Sequence, residues 1–392
     1  MEKDNFNMIA TTQFGLEEVL AAELTQLGAR DIKISTRAVA FSGDQKLLYQ
    51  ANIWCRTAVR ILVPFASFQV RDENDMYRKV SKIRWQDYLS LSQTFAINAV
   101  VSNSTFQHSL FLSQLTKDAI VDQFRRDTGD RPSVDVTRPD VRFNLHMYDN
   151  QVTLALDASG DSLHRRGYRL QTNVAPLNEA LAAGIILLTG WDKKSPFIDP
   201  MCGSGTFLIE AALLAYNIAP GLYRGQNFGF VAWQDFNKAL FEEVVAEARS
   251  QRLPETDLEI LGSDIDPDYI EAARNNITEA GLEEEIRVRV RDIKEAERVG
   301  EHGVVVVNPP YGERIGSSDL NLLYKTIGDT LKTNFSGYDA YVFTGNQEAA
   351  KNIGLRTSRR IPLYNGPIEC RLLKYELYRG SRKVEQPEIN LQ

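Results

Sequence analysis

The sequence predicts an α/β protein in two parts: an α+β region over the first 160 residues, then a doubly wound domain built on a parallel sheet. Three observations carry this. Early in the chain, apolar residues fall two apart in short runs (Phe95, Ile97, Ala99, Val101; Phe143, Leu145, Met147; Val152, Leu154, Leu156), the period of a half-buried strand. Beyond residue 175, strand-like and helix-like runs alternate at long spacing, as parallel strands require because each needs a crossover. Finally, 392 residues with 43% hydrophobic and 25% charged side chains form an ordinary globular chain of two or three domains.

In order, a strand is expected around Asn7–Ala10, then a helix over Leu16–Leu27 with its stripe at Leu16, Val19, Leu20, Leu24 and Leu27. Gly28 stands where a glycine ends a helix. Strands near Ile32 and over Val39–Ser42 precede a helix over Asp44–Trp54, for which Ser42 and Asp44 are both candidate caps. The three alternating runs follow, the last two joined as a hairpin by the turn pair Asp149-Asn150. Between them, Leu112, Leu115, Ala119, Ile120 and Phe124 mark one helix face, with Lys117, Arg125 and Arg126 elsewhere on it. The aromatic and basic residues of this region read either as core and solvated surface or as RNA contacts.

A basic connector, Ser162–Asn173, carries His164, Arg165, Arg166, Tyr168 and Arg169; Pro176 then opens a helix over Leu177–Thr189. The expected elements after it are strand Pro196–Asp199, helix Thr206–Ala215, strand Glu259–Asp264, helix Asp268–Ala280, and strands Ile286–Arg291 and Gly303–Asn308. Helix Leu320–Lys332, strand Ala340–Thr344, a helix near Gln347–Gly354 and a closing pair near Thr357–Pro362 and Glu369–Leu377 complete the domain. The boundary is expected between residues 160 and 175. Arg224–Leu253, rich in aromatics, reads as an insertion after the first helix of the second domain.

Composition removes several function classes. Cys55, Cys202 and Cys370 are odd in number and far apart, indicating neither a disulfide framework nor a zinc site. The four histidines show no spacing suited to a metal, so no metal is expected. Acidic residues in the N-terminal MEKDNFNMIA argue against a signal peptide. The longest nearly apolar run, Ala180–Trp191, is too short for a bilayer, so a reducing cytoplasm and no membrane partner are expected.

Four motifs fall at the ends of successive strands, where an open α/β sheet places its ligand crevice. The first is Asp199-Pro200-Met201-Cys202-Gly203-Ser204-Gly205-Thr206, an acidic strand end followed by G-x-G, which either forms a plain turn or lets the backbone approach a bulky cofactor. It lacks the lysine of a P-loop, and Leu208 stands where a dinucleotide fingerprint wants a third glycine. The second, Gly262-Ser263-Asp264-Ile265-Asp266, offers a carboxylate to two ribose hydroxyls and an apolar side chain to a ring, although Asp264 and Asp266 equally suit helix caps. The third is Arg291-Asp292-Ile293, with Asp292 placed for the exocyclic amine of an adenine. The fourth, Asn308-Pro309-Pro310-Tyr311-Gly312, ends a buried valine strand. There the Asn308 oxygen and the Pro309 carbonyl can accept both N–H hydrogens of an amine on a flat base, with Tyr311 stacked on the ring.

This quartet resembles motifs I to IV of the class I S-adenosylmethionine-dependent methyltransferases that modify exocyclic amines. The wider segments RPSVDV (131–136), SLHRRGYR (162–169), APLNE (175–179), NPPYGERIG (308–316) and LYNGPIECRLLKYEL (363–377) resemble the THUMP-domain guanine-N2 methyltransferases of large-subunit ribosomal RNA, over essentially the whole chain. The resemblance implies a ferredoxin-like subdomain (1–55), a THUMP RNA-binding domain (56–160) and a Rossmann-like, seven-stranded methyltransferase domain with a reversed last strand (161–385). It implies that Asp199, Gly203 and Gly205 cradle the methionine part of S-adenosylmethionine, Asp264 its ribose, and Ile265 and Asp292 its adenine. Met201, Cys202, Thr206, Ile293 and Asn308 would complete the cofactor contacts, and Asn308, Pro309, Pro310 and Tyr311 would receive the base. One methylation chemistry is expected, since larger relatives carry a second methyltransferase domain. The NPPY motif by itself is shared with N6-adenine methyltransferases on DNA or RNA, and guanine N2 of a tRNA is a further alternative.

The net charge of −7 argues at first against a nucleic-acid partner. Yet residues 351–383 hold nine Lys or Arg against two Glu, while residues 1–160 are near neutral. Arg359 and Arg360, with Arg165, Arg166 and Arg169 of the connector, are therefore expected to form a basic seam for ribosomal RNA, against the plainer reading of a solvated surface.

Overall fold

The computed structural model describes residues 5–169, 177–254, 256–311 and 317–378. It forms two compact units: the first from the described residues of 1–169, 178–184 and 216–254, the second from those of 170–177, 185–215 and 255–392. Residues 170–173 of the connector, Pro176, Gly312 of the fourth motif with residues 313–316 after it, and Arg379, Arg382 and Lys383 lie outside the described residues.

The strands of the first unit are β1 (Phe6–Thr12), β2 (Arg30–Ser35), β3 (Ala38–Gly43), β4 (Ala58–Gln69), β5 (Thr94–Ser102), β6 (Ser133–Val134), β7 (Val141–Tyr148) and β8 (Gln151–Asp157). They form one sheet of order β2-β3-β1-β4-β8-β7-β5-β6. Helices α1 (Glu17–Gln26), α2 (Gln45–Trp54), α3 (Glu73–Val80) and α4 (Ser109–Thr128) join them. Asp44 caps α2, accepting from the Leu47 N–H at 2.8 Å, whereas Ser42 turns its hydroxyl to Asp31. The β7–β8 hairpin closes through Asp149 and Asn150 at φ 49° and 58°, the left-handed pair that a twisted two-residue turn needs.

The sequence did not reveal β4, which pairs with β1 through one half and with β8 through the other and so unites the sheet. Pro64 hides it, because a proline normally rules out a central strand. Here the pairing register shifts between Pro64 and Ala66, and the bulge accommodates the missing donor.

The stretch expected as an insertion does interrupt the second unit, but its packing is not with that unit. Residues 216–254 belong to the first unit: Phe228, Phe230, Phe241 and Val244 are buried in the same core as Met8, Leu20, Tyr49 and Ile53. The Phe230 ring lies 4.6 Å from that of Tyr49, 5.1 Å from Phe228 and 5.3 Å from Phe241.

Beyond α5 (Glu179–Thr189), whose Leu181 N–H donates to the Asn178 side chain at 3.1 Å, the chain enters the second sheet. Its strands are β9 (Phe197–Asp199), β10 (Ile260–Asp264), β11 (Ile286–Val290), β12 (Val304–Val307), β13 (Asp339–Thr344), β14 (Arg359–Asn365) and β15 (Ile368–Glu376), in the order β11-β10-β9-β12-β13-β15-β14. Only β15 runs against its neighbours β13 and β14, matching the expected reversed last strand. The remaining helices are α6 (Thr206–Ala215), α7 (Lys238–Ser250, in the first unit), α8 (Pro267–Glu279), α9 (Ser317–Asn334) and α10 (Gln347–Ala350). Val305, Val307 and Val342 pack under Tyr324, Ile327 and Leu331 of α9, which fixes the strand ends beneath the site. Among the described residues, no helix is long and apolar enough to cross a membrane, and no group of His, Cys, Asp and Glu could hold a metal ion.

Replacing Phe230 by Ala removes the ring at the centre of this cluster. It is expected to cost about 3 to 5 kcal/mol, read as a lower urea midpoint for the transition that reports the first unit.

Candidate functional site

Strand order reverses at β9: β10 and β11 lie on one side, β12 and β13 on the other. Loops leaving β9 and β12 at their carboxyl ends therefore diverge and open a crevice. All four motifs converge here, with Asp199 ending β9, Asp264 ending β10, Asp292 just beyond β11 and Asn308 just beyond β12.

Asp199 is buried, and its Oδ1 accepts from the Met201 N–H at 3.1 Å, turning the chain into the glycine loop. Gly203 and Gly205 adopt φ of 51° and 82° for different reasons. A Cβ on Gly205 would lie 3.3 Å from Ala273 Cβ, so this glycine lets α8 come close. A Cβ on Gly203 would meet nothing within 4 Å, so this glycine leaves the outer face of the loop open. Asp264 Oδ2 accepts from the Gly203 N–H at 3.0 Å and Oδ1 from the Asp266 N–H at 3.1 Å. Asn276 Nδ2 of α8 holds the Ser204 carbonyl at 3.1 Å, and α6 starts at Thr206. Cys202 is buried with its Sγ over Gly262 of β10, so its contribution to the crevice is main chain.

Burial pushes the Asp199 carboxyl well above its usual range, only partly opposed by the Met201 N–H; burial also raises Asp264, opposed by the Asp266 and Gly203 N–H groups. Among the described residues no Lys or Arg pairs with either. Two poorly solvated carboxylates side by side suit a ligand that brings hydroxyls and a positive charge.

A pocket of about 250 Å³ adjoins them, lined by Met201, Asp264, Ile265, Asp292 and Ile293. Asp292 also accepts from the Lys294 N–H at 2.9 Å, which leaves most of its acceptor capacity free. The opposite wall is formed by Asp319, Leu322, Leu323 and Thr326 of α9, which sequence reasoning missed. An amphipathic stripe looks the same whether it faces a ligand or solvent.

Beyond β12, Asn308 Oδ1 is buried and, among the described residues, has no hydrogen-bond partner. Such an acceptor costs about 1 to 3 kcal/mol when left unmet. Its loop is pinned on both sides. The Tyr324 hydroxyl of α9 approaches the Pro310 carbonyl at 3.5 Å and shares a 2.5 Å hydrogen bond with Thr344 at the end of β13. The Tyr311 hydroxyl accepts from Asn365 Nδ2 at 2.7 Å, and its ring meets Phe343 edge-on at 6.4 Å. Burial raises the Tyr311 phenol far above its ordinary value, so it stays protonated and offers a ring rather than a base.

The basic candidates divide. Arg165, Arg359 and Arg360 are exposed, the last two on the edge strand β14. Arg166 and Arg169 are corrections: they are not free surface cations. Arg166 is 1% exposed and donates to the carbonyls of Leu163 and Arg56, while Arg169 pairs with Glu179 at 3.3 Å, both side chains nearly enclosed. Arg224 adds bonds to the carbonyls of Ser159, Asp161, Ser162 and Arg165, and burial among these arginines pushes His164 down to about 4. Residues 159–169 are therefore held by a polar knot around the buried Arg166 and Arg224, from which Arg165 alone of the three connector arginines stands exposed, rather than forming an open basic strip.

Residues 166–374 match the family model described as an RMKL-like methyltransferase domain, residues 70–157 a THUMP domain, and residues 7–62 an RlmL ferredoxin-like domain. The chain is 43% identical to "Putative RNA methyltransferase slr0064" of Synechocystis sp., over 94% of this chain and 96% of the relative. It is 42% identical to a ribosomal RNA large subunit methyltransferase K/L of Syntrophotalea carbinolica, again over 94% of this chain, but spans only 53% of that protein. The crystal structure of SMU.472, a putative methyltransferase complexed with SAH, superimposes with a TM-score of 0.87 at 31% identity, covering 97% of this chain and 100% of that one.

Asp264→Asn tests the carboxylate. Its single oxygen can serve the backbone N–H groups or a ligand hydroxyl but not both faces, so affinity for S-adenosylhomocysteine should fall roughly tenfold by calorimetry.

Proposed function

The chain belongs to the RMKL-like methyltransferases that carry a THUMP domain, and we propose that it methylates the exocyclic N2 of a guanine in large-subunit ribosomal RNA. Its methyl donor is S-adenosylmethionine, which when bound supplies an electrophilic methyl group on a sulfonium. The residues fit that molecule. Asp199 is a buried carboxylate without a cationic partner among the described residues, Gly203 leaves its loop face open, and each Asp264 oxygen keeps acceptor capacity. Asp199, Met201, Cys202, Gly203, Gly205 and Thr206 would hold the amino-acid end, Asp264 the ribose hydroxyls, and Ile265, Asp292 and Ile293 the adenine.

The observation that carries the reading is the unmet acceptor of Asn308. A primary amine on a flat base brings two N–H donors; Asn308 Oδ1 takes one and the Pro309 carbonyl the other, which turns the nitrogen lone pair toward the methyl carbon. As nitrogen forms its bond to carbon it gains positive charge, and both acceptors stabilise that charge more than they stabilise the neutral amine. The extra proton then leaves to water. No strong base is required, so alignment at near-attack distance supplies much of the acceleration. The base must be unstacked to enter, and the Tyr311 ring offers replacement stacking.

Guanine and ribosomal RNA are favoured by the THUMP domain and by the similarity to the K/L protein. Arg165, Arg359 and Arg360 are the exposed cations offered to phosphates. Tritiated S-adenosylmethionine with unmodified ribosomal RNA, transfer RNA or DNA, followed by nucleoside mass spectrometry, tests this. N2-methylguanosine from ribosomal RNA is expected; N6-methyladenosine, or label in DNA or transfer RNA alone, overturns it.

Asn308→Ala should lower kcat by roughly 10² to 10³, the effect of removing one preorganised partner of developing charge, with S-adenosylhomocysteine affinity unchanged. Replacing Arg359 and Arg360 together should reduce the slope of log affinity for RNA against log salt by roughly 2, about one unit for each phosphate that is no longer neutralised. An unchanged slope would show that these arginines meet no phosphate.

A further inference from the structure

The second sheet ends in a hairpin, and its tip reaches the fourth motif. Asn365 is the last residue of β14 and pairs with Ile368 at the start of β15 across the two-residue turn Gly366-Pro367. Gly366 has φ 60°, as such a turn requires at its first central position. From this position Asn365 Nδ2 donates to the Tyr311 hydroxyl at 2.7 Å. Tyr311 is closely bounded elsewhere: a Cβ on Gly345 would fall 2.9 Å from Tyr311 Cδ2 and 2.9 Å from Ile368 Cγ2, so ring and hairpin meet over bare backbone. Phe343 faces the ring at 87°, and the buried Cys370 thiol adjoins the hydroxyl.

From this arrangement we infer that Asn365 is a positioning residue for base recognition, fixing the Tyr311 ring by its hydroxyl in the orientation that receives the flipped base. The inference rests on the reading of Asn308-Pro309-Pro310-Tyr311 as the base site and adds to it a residue 54 positions away on another element. A phenylalanine in place of Tyr311 would stack equally well. The hydroxyl matters because it is the polar handle by which the hairpin holds the far end of the ring: lying on the ring's own axis, it limits the swing of the whole ring about the Cα–Cβ bond, while Phe343 and the Gly345 backbone bound its faces. An aromatic platform free to swing loses part of its advantage, since the ordering that the tether supplies in advance must then accompany binding. The hairpin thereby joins the site without contributing an atom to the chemistry.

The experiment is a double-mutant cycle on the full chain with Asn365→Ala, Tyr311→Phe and the pair, using unmodified large-subunit ribosomal RNA and S-adenosylmethionine. Tyr311→Phe breaks the same bond from the other side, together with the contact between the hydroxyl and Cys370, and changes no hairpin residue, so the conclusion does not hang on the folding of one variant. Each single substitution should raise KM for RNA by roughly tenfold, the scale of one base–aromatic stack, while affinity for S-adenosylhomocysteine stays within about twofold of wild type. The double variant should be no worse than Tyr311→Phe alone. Effects that multiply in the double variant, or single variants that match wild type, overturn the inference while leaving the proposed function intact. A wild-type chain that binds S-adenosylhomocysteine yet methylates no base overturns both.

Discussion

Asp264 accepts from Gly203 with one carboxylate oxygen and from Asp266 with the other, and the organisation of the crevice depends on that pair of bonds. The glycine loop after β9 has few side chains to hold it and two residues in the left-handed region. Left to itself it would sample many shapes. The carboxylate ties it to the turn that starts α8, while Asn276, one helix face further on, holds the Ser204 carbonyl. One acidic side chain thus orders a loop that its glycines would otherwise loosen, and still presents acceptor capacity outward. Burial raises the energy of its charged form, and the two N–H groups compensate in part.

The rest of the catalytic half follows from keeping acceptors at strand ends. Asp199 and Asp264 end buried strands and Asn308 follows one, whereas Asp292 follows the more exposed edge strand β11. A crevice lined by acceptors selects molecules rich in hydroxyl and amine donors. The aliphatic side chains of Ile265, Ile293, Leu322 and Leu323 add flat apolar surface between them. Lys294 lines the crevice as well, while Arg359 and Arg360 are exposed on the edge strand β14.

Legibility in the sequence tracked how local the determining forces are. The four motifs were readable because a strand end, a glycine pair and a Pro-Pro loop each leave a mark within a few residues, and the structure brings all four to one edge. The Asp149-Asn150 hairpin was readable because only a few residues tolerate its backbone. What failed was decided by distant partners. β4 was masked by Pro64, acceptable only because the sheet bulges there. Arg166 and Arg169 looked like phosphate ligands because burial leaves no local signature, and their partners are the Arg56 carbonyl and Glu179. For α7, Asn237 and the spacing of Phe241, Val244 and Ala248 did offer a signal, although its destination in the first unit did not show. Asn365 stood in a recognisable turn, but its bond to Tyr311 spans elements that only the folded sheet brings together.

The core that Phe228, Phe230 and Phe241 complete has a consequence for how the chain is made. The first unit draws on residues as late as 254, after the chain has already laid down β9 and α6 of the second. During synthesis, the pocket around Tyr49 waits for rings that emerge later by roughly 10 to 40 s at ordinary elongation rates. Neither unit is a continuous stretch of chain, so a scission near residue 170 separates a first half without its closing aromatics from a second half that carries them unpacked. The two units share a folding history as well as a substrate, and a nascent chain cannot finish the part that finds RNA before it has begun the part that modifies it.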